Sequence, residues 1–149
     1  MDGGVVARIG HGLLVLLGAE TGDTMPVAEE AARKLVGLRV FDDAAGKMNL
    51  ALADVGGSVL VVSQFTLAAD LSRGRRPGFD RALRGPDAEP LYQRFVAAVR
   101  ACGVAVETGA FGAAMDVELV NEGPATFIVQ VPARGGESDL SHRIQGEAE

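Results

Sequence analysis

Residues 13–17 form an uninterrupted apolar run, set between Gly12 and Gly18, and predict a strand buried on both faces. Residues 5–9 alternate weakly ahead of it, and Gly10-His11-Gly12 reads as a turn, so the two segments together predict a hairpin. Thr24 is a candidate N-cap, Pro26 suits the first helical turn, and Glu29 and Glu30 follow close behind. Val27, Ala31, Leu35 and Leu38 then recur at helical spacing and predict a helix over residues 25–37. Residues 38–41 suggest a short strand closed by Asp42-Asp43-Ala44-Ala45-Gly46, whereas the pattern assigns no role to Lys47-Met48-Asn49-Leu50. Gly56-Gly57 marks a turn. Residues 58–65 (SVLVVSQF) carry the strongest strand pattern of the chain, β-branched and bounded by glycine.

Pro77 and several glycines keep residues 70–84 out of regular structure. Asp87 reads as the cap of a second helix whose apolar face carries Leu91, Phe95, Ala98, Val99 and Cys102, with Gly103 at its stop. Residues 104–108, 116–120 and 126–131 complete the pattern as three strands, the last two joined by a turn over 121–125. Two helices set among this many strands break strict alternation. The expectation is an α+β fold of packed β-sheets with two helices on an outer face. Residues 1–131 form the expected domain. Residues 132–149, poor in apolar positions and without periodicity, are expected to be a disordered acidic tail.

Composition supports a domain that folds on its own. Of 149 residues, 48% are apolar and 23% charged, enough for a core without disulfides or a structural metal. No apolar run is long enough to span a bilayer, and no basic segment followed by an apolar one opens the chain, so a soluble cytoplasmic domain without membrane contact is expected. The single cysteine, Cys102, excludes an internal disulfide and a Cys-rich zinc site. The net charge of −6 does not advertise nucleic-acid binding, but the charge is uneven. Between Ser72 and Arg84 stand Arg73, Arg75, Arg76, Arg81 and Arg84 against Asp80 alone. Phosphate contacts act within a Debye length of about 10 Å, so a local cluster of this kind suffices for them; a solvated loop is the plainer reading.

Catalytic groups are scarce. His11 lies in a glycine turn and His142 in the tail; Cys102 lies on an apolar helix face, where packing explains it better than nucleophilic attack. Asp42 and Asp43 could hold a cation, though a capped turn explains them better. Two segments stand out. Ser63-Gln64-Phe65-Thr66-Leu67 turns a very apolar strand polar at its C-terminal end, where main-chain N–H groups leave the ladder; a Ser/Thr turn is the alternative. Asn121-Glu122-Gly123-Pro124-Ala125-Thr126 is a Gly-Pro turn between strands, which an ordinary hairpin loop would also explain.

Together these two segments resemble the SQxxL and NxGPxT signature of D-aminoacyl-tRNA deacylases. The resemblance extends from about Asp2 to Val131. It includes Gly46-Lys47-Met48-Asn49-Leu50, Arg76-Pro77 with Phe79, and Thr108-Gly109 followed by Phe111-Gly112-Ala113 and Met115. It implies a cytoplasmic homodimer that hydrolyses the ester joining a D-amino acid, or glycine mischarged on tRNA(Ala), to the 3′-terminal adenosine of tRNA, with no cofactor and no metal. The roles it implies start with an oxyanion pocket from Ser63 and the N–H groups near Phe65. Gln64 holds the strand end and substrate. Thr66 is a candidate nucleophile that is displaced in this role by the RNA's own 2′-hydroxyl. Phe111, Gly112 and Met115 line an adenine pocket. Asn121, Gly123, Pro124 and Thr126 belong to the substrate-binding set, with Gly123-Pro124 a cis pair reaching into the partner's site to exclude L side chains. Arg73, Arg75 and Arg76 become candidate contacts for the tRNA.

An activated ester needs only oriented donors, worth about 3–4 kcal/mol to a developing oxyanion, and a ribose held in place. The family's first strand, with its arginine, has no counterpart here: Met1-Asp2-Gly3 stands where a Val-Asp-Gly segment is expected, as if a valine GTG codon had been read as the start. The alternatives are a relaxed-chirality deacylase paralogue, which the Ser63–Thr66 residues disfavour, and a non-catalytic tRNA-binding module.

Overall fold

A computed structural model describes residues 4–122 and 125–131. The apolar run becomes β1 (Gly12–Leu17), and the first helix, α1 (Met25–Gly37), has the expected limits. Next come β2 (Phe41–Asp42), β3 (Met48–Leu50), a one-turn helix α2 (Leu52–Val55) and β4 (Ser58–Ser63). A 3₁₀ turn (Phe65–Ala68), the long helix α3 (Gly85–Ala101) and β5 (Val106–Thr108) complete the regular elements among the described residues.

The central sheet has the order β1-β4-β5, and both pairings are parallel. Its register sets Leu13, Val15 and Leu17 beside Val59, Val61 and Ser63. Side chains alternate across a strand. The face bearing Val59 and Val61 is therefore the buried one, and it packs against Ala32 and Leu35 of α1, Leu52 of α2, and Phe95, Val96 and Val99 of α3. The opposite face, with Leu14, Leu16, Leu60 and Val62, lines a broad open trough together with Met115, Val117 and Phe127. The fold is thus α+β, with α1 and α3 side by side on one face of the sheet. Arg94 of α3 and Glu29 of α1 pair at 3.1 Å across the helix surface, a contact worth about 0–1 kcal/mol where it is exposed.

Several local expectations are corrected. Residues 5–9 carry no strand, so the hairpin onto residues 13–17 does not form; β1 instead pairs with β4. Nor is the run buried on both faces: Leu16 is 45% exposed on the side of the open trough. β4 stops at Ser63 because the chain turns at Gln64 into the 3₁₀ turn. α3 starts two residues before Asp87, since Pro86 supplies a ready helical φ in its first turn. Cys102 is exposed at the end of α3 and is not packed in the core. α2 was not foreseen; the Asp54 carboxylate accepts from the Ala51 N–H at 2.8 Å, and Gly56 ends the turn with a left-handed φ of +62°. The unassigned Lys47–Leu50 stretch provides β3, antiparallel to β2.

Residues 116–120 and 126–131 form no strand either, although Val117 and Leu119 alternate with Asp116 and Glu118. Alternation specifies which side a strand buries, and pairing also needs a neighbouring edge. Val120 is 92% and Ile128 75% exposed. The expected tail at 132–149 lies outside the described residues.

Candidate functional site

All three strands of the central sheet run the same way, so the residues that follow them emerge at one edge. In open parallel sheets this carboxyl edge is where ligands bind, because N–H groups there leave the ladder. At the end of β4 the Gln64 N–H still donates to the Leu17 carbonyl at 2.8 Å. The Gln64 carbonyl then accepts from the Leu67 N–H, which winds the chain into the 3₁₀ turn. The first N–H groups of such a turn have no partner within it, and here they are those of Phe65 and Thr66. Gln64 Nε2 donates to Thr66 Oγ1 at 2.5 Å. Gly18 permits this close approach: a Cβ there would stand 3.0 Å from the Gln64 carbonyl oxygen and 3.1 Å from Leu67 Cβ.

β5 supplies the other side of this edge. The Gly109 N–H donates to the Val61 carbonyl at 3.0 Å and extends the ladder by one bond. The chain then turns back through Gly112, whose φ is +74°, to bring Met115 against Gly109. Met115 Sδ accepts from the Ala110 N–H at 3.3 Å, and a Cβ on Gly109 would meet that sulfur at 2.9 Å. The Phe111 ring tilts against Tyr92, with centroids 5.4 Å apart. The Tyr92 hydroxyl donates to the Val61 carbonyl at 3.2 Å, and burial pushes its pKa up, so it remains a donor at neutral pH. Ser63, Gln64, Phe65 and Thr66 therefore share one edge with Phe111, Gly112 and Met115. Gly18, Gly109 and Tyr92 shape that edge, and sequence reasoning gave none of them a role; the glycines bracketing the apolar run were the available signal.

The arginine-rich segment is pinned to the same edge at two points. Asp70 and Gly78 exchange main-chain hydrogen bonds of 2.7 and 2.9 Å, closing a loop that carries Arg73, Arg75 and Arg76. Further on, the Thr21 N–H donates to the Arg81 carbonyl and the Leu83 N–H to the Ala19 carbonyl, just past the end of β1. Inside the loop the Asp70 carboxylate accepts from both the hydroxyl and the N–H of Ser72. These two bonds, with the charges of Arg81 and Arg73, hold Asp70 below its ordinary carboxylate pKa of 3.8. A depressed pKa means that this contribution is complete above the ordinary value and is lost as pH falls through the lowered one. Asp70→Ala is expected to open the loop at neutral pH, read as faster tryptic cleavage after Arg73, Arg75 or Arg76 with unchanged circular dichroism.

The Gly-Pro turn is elsewhere. His11, which directly precedes β1, pairs with Glu122 at 3.6 Å, and Asn121 Nδ2 reaches Thr126 Oγ1 at 3.5 Å. Asn121 and Thr126 thus lie towards the amino end of β1, while Gly123 and Pro124 lie outside the described residues. β1 has six residues, which at about 3.3 Å each sets this end about 17–20 Å from the carboxyl edge. The structure therefore does not bring Asn121 and Thr126 to Ser63 within one chain. His11 is also far from that edge. Asp43, by contrast, accepts from the N–H groups of Lys47 and Ala45, which lower its pKa and explain it as a turn cap. Among the described residues no three His, Cys, Asp or Glu side chains gather as metal ligands would, and no helix is long and apolar enough to cross a membrane.

The chain is similar to known proteins over most of its length. The family described as D-Tyr-tRNA(Tyr) deacylase matches residues 1–130. The chain belongs to this family. A D-aminoacyl-tRNA deacylase of Symbiobacterium thermophilum is 56% identical over 129 residues, 87% of this chain and 85% of that protein. One from Thermomicrobium roseum is 53% identical over 140 residues, 93% of this chain and 91% of that protein. Among solved structures, the c-Myc DNA unwinding element binding protein superposes with a TM-score of 0.82 at 36% identity, covering 89% of this chain and 90% of its own. A "probable eukaryotic D-amino acid tRNA deacylase" shares the fold alone, with a TM-score of 0.61 at 18% identity over 74% of this chain and 78% of its own. The deacylase family is thus an α+β fold, and the carboxyl edge of the parallel sheet is the part of it to which most of the sequence-derived site residues come.

Proposed function

We propose that the chain is a D-aminoacyl-tRNA deacylase that releases free D-amino acid and tRNA, working in the cytoplasm as a homodimer built on a domain of residues 1–131. The observation that supports this is that Ser63-Gln64-Phe65-Thr66 and the segment with Phe111, Gly112 and Met115 follow the adjacent parallel strands β4 and β5 and so leave the sheet at one edge. In this reading the adenine sits against Phe111, Gly112 and Met115. The ester carbonyl faces Ser63 and the Phe65 N–H. Water adds to the carbonyl carbon, negative charge gathers on its oxygen, and the ribose 3′ oxygen leaves with a proton. Fixed donors aimed at that oxygen contribute about 3–4 kcal/mol. The neighbouring 2′-hydroxyl handles the proton. Thr66 is a poor nucleophile, since its oxygen already accepts from Gln64 and, among the described residues, no histidine stands beside it: His11 lies at the opposite end of β1.

Two copies complete the site in this proposal. Asn121 and Thr126 are remote from Ser63 in their own chain, and exposed apolar residues such as Val117, Leu119, Phe127 and Ile128 give a second copy something to cover. There Gly123-Pro124, as a cis pair, would exclude L side chains while admitting D-amino acids and the glycine of mischarged tRNA(Ala). Arg73, Arg75 and Arg76 would meet backbone phosphates, with affinity falling as salt rises. A second reading, nucleic-acid binding without hydrolysis, draws on the same arginine loop and on the name of the 36%-identical structural neighbour.

Incubation with D-tyrosyl- and L-tyrosyl-tRNA separates the readings. Loss of the D ester alone is expected. Loss of L esters as well would mark relaxed chirality, and loss of neither would leave only binding. Thr66→Ala is expected to stay active, whereas removal of a true acid–base group costs about 100-fold or more.

A further inference from the structure

Phe65 and Phe79 form a second feature at the carboxyl edge that none of these roles uses. Their rings tilt against each other with centroids 5.1 Å apart, yet Phe65 is 55% and Phe79 39% exposed. Aromatic side chains usually bury most of their surface, so a pair left open on one side presents a ring face to something else. The pair is held in place on both sides. Phe65 opens the 3₁₀ turn after β4. Phe79 directly follows Gly78, which closes the loop with Asp70, and precedes Arg81 and Ala82, which bridge to Thr21 and Glu20. Arg73, Arg75 and Arg76 lie within that closed loop, and Arg81 follows two residues after Phe79.

We propose that the Phe65–Phe79 pair is a stacking platform for a nucleobase of the single-stranded RNA segment that precedes the reacting terminal nucleotide. An open aromatic face set beside clustered guanidinium groups is the combination that holds single strands: bases stack on rings while the cations track phosphates. An apolar protein partner is the weaker fit, because it would have to cover several arginines together with the two rings. The inference rests on the reading of this edge as an RNA 3′-end site and extends it by one nucleotide upstream. Phe65 thereby has two separate functions, its N–H toward the ester and its ring toward the strand.

The test is fluorescence anisotropy with an uncharged RNA minihelix ending in single-stranded CCA and with the same helix cut back to a blunt end. Wild type, Phe79→Leu and Phe79→Tyr are compared. Leucine keeps apolar volume against Phe65 but removes the ring face. The Kd for the CCA minihelix is expected to rise about tenfold in Phe79→Leu, to recover in Phe79→Tyr, and to be unchanged for the blunt helix, as loss of one stacked base predicts. Unchanged affinity for both RNAs, or equal loss for both, would overturn the platform. So would a shift of Phe79→Leu from dimer to monomer in sedimentation without a CCA-specific loss. Because the readout is binding of uncharged RNA, it is independent of ester hydrolysis. CCA-specific loss in a chain that spares D-tyrosyl-tRNA would sink the deacylase reading and leave the platform standing.

Discussion

Gly12→Ala is expected to disrupt the central sheet. A Cβ at this position would collide with the carbonyl oxygen of Ser58 and come within 2.8 Å of its nitrogen and carbonyl carbon. Those are main-chain atoms of the neighbouring strand at the first rung of the β1–β4 ladder. No side-chain rotation can relieve the contact, so the strands must part. The Ser58 N–H, which donates to the His11 carbonyl at 3.1 Å, would lose its partner in the same movement. Steric insertion between paired strands together with a lost main-chain bond belongs to the severe class of single substitutions, at about 3–5 kcal/mol. Urea unfolding followed by circular dichroism should show a midpoint far below that of the parent, or no cooperative transition. Gly4→Ala, which meets nothing within 4 Å, is the matched control and should leave the midpoint in place. A Gly12→Ala protein as stable as the parent would mean that β1 and β4 are not paired in this register.

Replacing the terminal 2′-hydroxyl of a 3′-linked D-aminoacyl-tRNA by hydrogen is expected to slow single-turnover hydrolysis by about 100-fold or more. That is the scale lost when a positioned proton-transfer group is removed. The expectation follows from what the carboxyl edge contains. Ser63 and Thr66 provide hydroxyls, Gln64 an amide, and Phe65 a main-chain donor, and Thr66 Oγ1 already accepts from Gln64. His11 is about a strand length away. A site furnished in this way can bind and polarise an ester, while the proton has to be handled by the substrate. Binding of the deoxy substrate should be nearly unchanged, which separates lost chemistry from lost affinity. Full speed on the deoxy substrate, combined with collapse of a folded Thr66→Ala variant, would return the chemistry to the threonine.

Local chemistry was legible wherever neighbouring residues decide the outcome. The limits of α1 follow from Pro26 in its first turn and the spacing of Val27 and Leu35, while Thr24 takes the cap position without a side-chain hydrogen bond. The Asp43 turn and the left-handed Gly103 at the end of α3 could be read in the same way. Long-range pairing could not. The run 13–17 announced a strand, but neither that one of its faces stays open nor that its neighbour is β4, more than forty residues away; the ladder is an agreement between two segments, and neither encodes its partner alone. Cys102 was misplaced for a related reason, since helical spacing puts it on the apolar stripe while the end of α3 runs past the core.

From the chain alone came the two motifs, the shortage of acid–base side chains, the arginine cluster and the two main helices. Which of these residues stand together was decided only by the tertiary structure. Parallel strands send Gly18, Gln64 and Gly109 out of the same edge and hold Asn121 and Thr126 near the other end of β1. Propensity and periodicity act over a few residues, whereas strand direction, set by pairing across long crossovers, determines which strand ends share an edge.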